Sequence, residues 1–313
     1  MRRFRTYSLL CLLATAALTA GVVTTAQAAP KVHSKVFTLQ TPAKDVRLLS
    51  EQQIPGGDWT ASWIVQGETV KVAAPAGSTV VVAQPDGKSA SAMVRTPAQS
   101  KQGTSLKSLA AAYAAAGKSV VQDAMAVGYT QAEAEALVGG VHPAYSPGDI
   151  ISSPCASVTG DGGDAWGRAC DVQKMMQDNG GGNWYVGDQV TGSGNDTNGR
   201  NSLSGLAADV NYGSGNSIIQ WQPNSTVSTG SCTTRGYSLS YNYVNVSTSS
   251  TVCPDRMDPD GPSNTRFGGH WSGCDRWGAD TEGVNSVDVV WNPSSALSNP
   301  GLSVKIWWAD CGN

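Results

Sequence analysis

The chain has 313 residues, 21 basic and 24 acidic side chains and a net charge of −3. That length accommodates two domains, and the charge balance lacks the basic face a nucleic-acid binder needs to offset phosphate charge. With three histidines and no C-x-x-C pair, zinc chemistry has little to build on.

Arg2, Arg3 and Arg5 precede an apolar stretch from Tyr7 to about Val23, and small residues at Ala26 and Ala28 fit cleavage after Ala28. Residues 1–28 read as an export signal. The expected location is secreted and extracellular, with association to the cell envelope left open. Cys11 would leave with the signal. No later apolar run reaches 18 residues, so no transmembrane segment is expected after signal removal.

Residues 29–103 read as a small β domain. Short runs at Lys35–Leu39, Ala61–Val65, Thr69–Val72, Ser78–Ala83 and Ser91–Arg95 are punctuated by Gly and Pro. Pro85-Asp86-Gly87, between two apolar runs, is the strongest turn signal. Residues 104–140 change period and read as a helical segment. Leu106, Leu109, Ala110 and Tyr113 share a face, and Thr130 with Glu133 forms a capping box. Residues 141–151 carry two prolines and read as a linker.

Residues 152–313 read as a Cys/Trp-rich β-sandwich or jelly-roll domain. One helix is expected over Ala169–Asp178, with Val172, Met175 and Met176 on one side. Strands are expected at Asn183–Val186, Leu206–Tyr212, Ser217–Trp221, Tyr237–Val246, Val284–Trp291 and Leu302–Ala309. The run Tyr237–Val246 alternates and should have one wet face. Gly192–Gly199 reads as a surface loop. The fold class is therefore mainly β, with a disulfide-stabilised C-terminal domain preceded by a small β module and a short helical segment. Charge also divides the chain: ten basic and eight acidic residues over 29–140, but eight and 16 over 141–313.

Six cysteines remain after the signal: Cys155, Cys170, Cys232, Cys253, Cys274 and Cys311. An even count in an exported chain implies disulfides, and six allow 15 pairings. Local pairing would join Cys155 to Cys170 and Cys232 to Cys253, leaving Cys274 for Cys311. The sequence does not choose among the pairings.

Aromatic residues are the main functional lead. Eight of the ten tryptophans lie in the last domain, where Phe267 is the sole phenylalanine. Trp and Tyr carry a polar end, so they suit either a small core or a platform for a polymer such as a glycan. Trp271 and Trp277, in a Gly-rich stretch, are the expected exposed pair, with Trp308 and Tyr241 as further ligand-binding candidates. Adjacent Trp307 and Trp308 must face opposite sides of a strand.

Asp255, Asp258, Asp260 and Asn264 place hard oxygen ligands beside a Gly turn and form a candidate Ca²⁺ loop; no other cofactor is expected. For catalysis, Glu282 is the only Glu of the last domain, with Asp275, Asp280, Asp288 and His270 as possible partners. No G-x-S-x-G elbow or H-E-x-x-H signature is present. The favoured expectation is a secreted, non-catalytic module that binds a cell-surface or polysaccharide ligand. The alternatives are a polysaccharide hydrolase using Glu282 and an Asp, and a structural or assembly protein of the cell surface.

Overall fold

The computed structural model describes residues 31–55, 58–97, 99–100, 147–178, 184–197, 201–241, 244–253, 256–263, 265–274, 281–293, 296–297 and 300–311. In chain order the strands are β1 (Lys31–His33), β2 (Thr38–Gln40), β3 (Val46–Gln53), β4 (Trp59–Val65), β5 (Glu68–Ala74), β6 (Thr79–Val82), β7 (Ser89–Arg95) and β8 (Gln99–Ser100). They continue with β9 (Ile150–Ser152), β10 (Cys155–Gly160), β11 (Ala165–Asp178), β12 (Trp184–Asp196), β13 (Ser202–Asn211), β14 (Ser217–Gln222) and β15 (Val227–Ser228). The last are β16 (Thr233–Tyr241), β17 (Val244–Val252), β18 (Arg256–Pro259), β19 (Arg266–Ser272), β20 (Glu282–Asn292), β21 (Ala296–Leu297) and β22 (Gly301–Ala309).

Two large sheets carry most of them. The first runs β1-β2-β6-β7-β22-β13-β19-β18-β15, and the second runs β14-β20-β12-β11-β10-β5-β4-β3 with β9 on β11. The β2–β6 pair is parallel, so the first sheet is mixed. Period-two patterning explains why these segments are strands. Ala61, Trp63 and Val65 point inward from β4, and Leu302, Val304, Ile306 and Trp308 from β22. These faces meet in one core shared by both sheets. Gly160 makes room for Trp308, since a Cβ there would lie 2.2 Å from the indole ring. β7 pairs with β22 and β5 pairs with β10, so residues 31–100 extend both sheets. The turn at Pro85-Asp86-Gly87 forms as expected: Gly87 has positive φ, and the Asp86 carboxylate accepts the amides of Lys88 and Ser89.

The expected helical content is not found. Among the described residues the one helical segment is a three-residue 3-10 turn, Asp161–Gly163. The helix expected at Ala169–Asp178 is instead the second half of β11. Its inward positions are Ala165, Gly167, Ala169, Asp171, Gln173 and Met175. Two of those are polar, and outward Val172 with the bulged pair Met175–Met176 imitates helical spacing. The helical segment at 104–140 lies outside the described residues, as does the signal at 1–28.

Two further readings are corrected. Gly192 and Gly194 sit inside β12, not in a surface loop, because Val284 and the Trp166 carbonyl approach too closely for side chains. Tyr237–Val246 is not one strand: β16 ends at Tyr241 and pairs antiparallel with β17, which begins at Val244.

All three local pairings form: Cys155–Cys170, Cys232–Cys253 and Cys274–Cys311. The first links directly opposed residues of β10 and β11. The second closes the base of the β16–β17 hairpin, next to the Thr233–Val252 pair.

Candidate functional site

The β16–β17 hairpin is the most distinctive element. It forms its own two-stranded sheet and joins neither large one by strand pairing. Cross-strand partners share a face. One face carries Tyr237, Leu239, Tyr241, Val244, Val246 and Val252, with Thr233, Arg235, Thr248 and Ser250 toward the disulfide end; the other carries Thr234, Ser238, Ser240, Asn245, Ser247, Ser249 and Thr251. The apolar face lies on β20 and β12, where Val244 and Val246 join Met176, Val287 and Val289 in a small cluster. Tyr241 stacks on Tyr185 with ring centroids 4.8 Å apart. Polar anchors are few and mild: the Ser247 amide donates to Gln189 Oε1 at 3.2 Å, and Asn285 Nδ2 donates to the Arg235 carbonyl at 3.1 Å.

Two glycines set the approach. A Cβ at Gly187 would lie 2.7 Å from Val246, and one at Gly283 would lie 2.1 Å from Ser250 Oγ. Burying Val244 and Val246 stabilises the docked hairpin by about 3–6 kcal/mol together. That is the scale of a local opening rather than of global unfolding.

Beneath the hairpin, on the opposite face of the same strands, lies an acidic cluster. Asp171, Asp188 and Asp288 are fully buried, and Tyr212 beside them nearly so. Asp188 and Asp288 are directly opposed on β12 and β20, and Gln173 faces Asp188 from β11. Tyr212 donates its hydroxyl to Asp288 Oδ2 at 2.6 Å, and Gln173 Nε2 donates to Asp171 Oδ2 at 2.9 Å. Neither oxygen of Asp188 has a hydrogen bond of good geometry. A cavity of about 20 Å³, room for one water, is lined by Gln173, Asp188, Tyr212 and Asn292.

Burial, then the charge of Asp288, pushes Asp171 up to about 8. Burial and the charge of Asp171 raise Asp188 well above the usual carboxylate range. Burial and the charge of Asp188 do the same for Asp288. The cluster therefore holds protons at neutral pH.

A third feature sits on the outer face of the first sheet. Trp307 lies across Gly205, where a Cβ would come within 2.8 Å of its ring. Lys305 Nζ stands 4.5 Å from the Trp307 ring centroid, and the His270 ring is 5.2 Å away. Both Trp307 and His270 are half-buried.

The expected site residues do not converge. Trp271 is fully buried, with its indole N–H donating to the Cys253 carbonyl at 3.1 Å, so it offers no face to a ligand. Trp308 is the core member of the adjacent pair, and Trp307 takes the surface. Both corrections follow from parity, since Trp271 and Trp308 occupy inward strand positions. Tyr241 is half-buried in the hairpin. Trp277, Asp275, Asp280, Asp255 and Asn264 lie outside the described residues. Asp258 accepts from Thr226 Oγ1 at 2.6 Å and pairs with Arg256 at 2.7 Å, while Asp260 pairs with Arg266. Both described carboxylates of the candidate calcium loop are thus engaged by arginine. Among the described residues no three His, Cys, Asp or Glu side chains are grouped to hold a metal ion. Glu282 is buried at the start of β20, opposite Gly194. Sequence reasoning missed Asp171 and Asp188; the available signal was an acid at an inward parity position between apolar or glycine neighbours.

No protein-family model matches the chain, and no curated protein matches it. Among solved structures, the Clostridium perfringens delta-toxin overlaps 51% of this chain and 93% of its own, at 11% identity and a TM-score of 0.32. An overlap of that depth decides neither fold nor function.

Proposed function

We propose that this is an exported, non-catalytic protein that acts at a cell surface, with the β16–β17 hairpin as the element that enters lipid. The observation that carries this reading is the two-faced hairpin without strand pairing to the body. Each of its strands has nine residues, the lower bound for a tilted membrane-crossing strand. Alternating apolar and polar faces are the pattern of a barrel wall, lipid on one side and water on the other. A lone hairpin would leave edge N–H and C=O groups unpaired in the bilayer, so several copies must close a ring. Among the described residues no helix is long and apolar enough to cross a membrane.

Dye release from phospholipid vesicles tests this. The full chain should empty them, and Leu239→Lys, which puts a charge on the apolar face, should slow release at least tenfold. Ser240→Lys, on the polar face, should change it less than twofold. Vesicles that stay sealed across zwitterionic, anionic and sterol-containing compositions would reject the reading.

One observation favours a second reading, closer to polymer binding. Trp307, flanked by Lys305 and His270, presents an indole on a rigid sheet face, and indole rings cover the apolar face of sugars. Under this reading Trp307→Ala, not Trp271→Ala, lowers retention on insoluble polysaccharide. Equal retention of wild type and Trp307→Ala would remove it.

A further inference from the structure

We propose that the protonation state of the Asp171–Asp188–Asp288 cluster controls release of the β16–β17 hairpin; this rests on the membrane reading above for its purpose, but not for its physics. The argument is positional. Side chains alternate across a strand. Asp188 lies between Gly187, which seats Val246, and Gln189, which accepts the Ser247 amide. Asp288 lies between Val287 and Val289, which form the floor under Val244 and Val246. The same two strands therefore carry the cluster on their inner face and the hairpin on their outer face.

The groups that face one another in the cluster are Asp171 on β11, Asp188 on β12, Asp288 on β20 and Tyr212 just past β13. All four are acids. While the carboxyls keep their protons, the cluster is neutral and its burial is cheap. When Asp171 loses its proton, an uncompensated charge is buried on β11 beside the opposed Asp188–Asp288 pair, in a medium that solvates and screens it poorly. The relief available is to part β12 from β20 or to admit water through the adjoining cavity. Either movement disturbs the floor under the hairpin. The hairpin is the unit with least to lose, since no sheet ladder ties it down. Release is thus favoured as pH rises past about 8, where burial and Asp288 have moved Asp171.

The test uses the full chain with its disulfides intact and two readouts. The first is hydrogen exchange, expressed as protection factors corrected for intrinsic rates, at pH 6 and pH 9 without lipid. Protection should fall in the core strands β13 and β22 as global stability drops, and hairpin protection should fall at least tenfold further than theirs. In Asp171→Asn the hairpin should stay protected at both pH values. If that variant does not fold, the wild-type comparison alone decides: hairpin protection within twofold at both pH values overturns the proposal. The second readout is dye release from zwitterionic, anionic and sterol-containing phospholipid vesicles, expected to accelerate at least tenfold over the same interval. A pH-dependent loss of protection with sealed vesicles upholds the proton control and rejects the membrane reading. Release at equal rates at pH 6 and pH 9 upholds the membrane reading and rejects the proton control.

Discussion

Gly187 and Gly283 decide how closely the hairpin can lie on the second sheet. Any side chain at either position would occupy space already taken by Val246 or by Ser250 and Thr251. Gly187→Val should therefore destabilise the folded chain by about 1–3 kcal/mol, the cost of overpacking a filled contact. Chemical denaturation with disulfides intact measures it; an unchanged midpoint would mean that the hairpin is not seated there. The acidic residues work at the same scale with the opposite logic. Asp171, Asp188 and Asp288 fill inward positions where a sandwich ordinarily places Val or Ile, so each stays neutral or costs stability. The Arg266–Asp209 pair shows the ordinary solution in part: a cation at 2.9 Å opposes the burial of Asp209, although burial still raises that carboxyl.

For the hairpin as an element, the disulfide matters most. Cys232–Cys253 closes its base and holds the register of Thr233 against Val252. An isolated two-stranded hairpin is marginal in water, so the cross-link lets this one keep its form if it leaves the body. Cys232→Ser with Cys253→Ser should cost about 2–4 kcal/mol, and it should raise exchange in β16 and β17 more than in β13. Equal exchange in both would show that the apolar contacts suffice. The turn itself left one sequence signal. Apolar positions are odd-numbered through Tyr237, Leu239 and Tyr241, then even-numbered at Val244 and Val246. That change of parity marks the reversal, but the unbroken alternation on either side hides it. β11 failed to show for the complementary reason: its buried acid and amide removed the inward apolar signal, and its outward Val172 supplied a false one.

Across the whole molecule, the buried acids invert the usual pH response. In the unfolded chain an aspartate releases its proton near 3.8, whereas Asp171 in the fold holds it to about 8. Between those values the unfolded state binds fewer protons, so stability falls as pH rises. Asp188 and Asp288 shift in the same direction. Glu51, Asp86 and Asp258 are shifted down, but Asp86 is exposed and the other two only partly buried, and their small contribution is lost only in strong acid. The thermal midpoint should therefore be highest in mild acid and decline steadily from about pH 5 to pH 9. Scanning calorimetry across that range measures it; a maximum at pH 8 or above would contradict a buried cluster with no cation beside it.

Local chemistry reached some of this unaided. Alternating apolar residues determine most strands, because a half-buried strand has a period of two whatever it pairs with. Short separations favour the three disulfides, because nearby cysteines meet first. Pairing across the chain was decided only in three dimensions: β7 finds β22, and β5 finds β10, through residues far apart in sequence. So was the fate of each indole, since parity says which of Trp307 and Trp308 differs from the other but not which sheet face is covered. The acidic cluster belongs to the same class. Three aspartates on three strands become one group only when the sheet aligns them and a second sheet shuts out water.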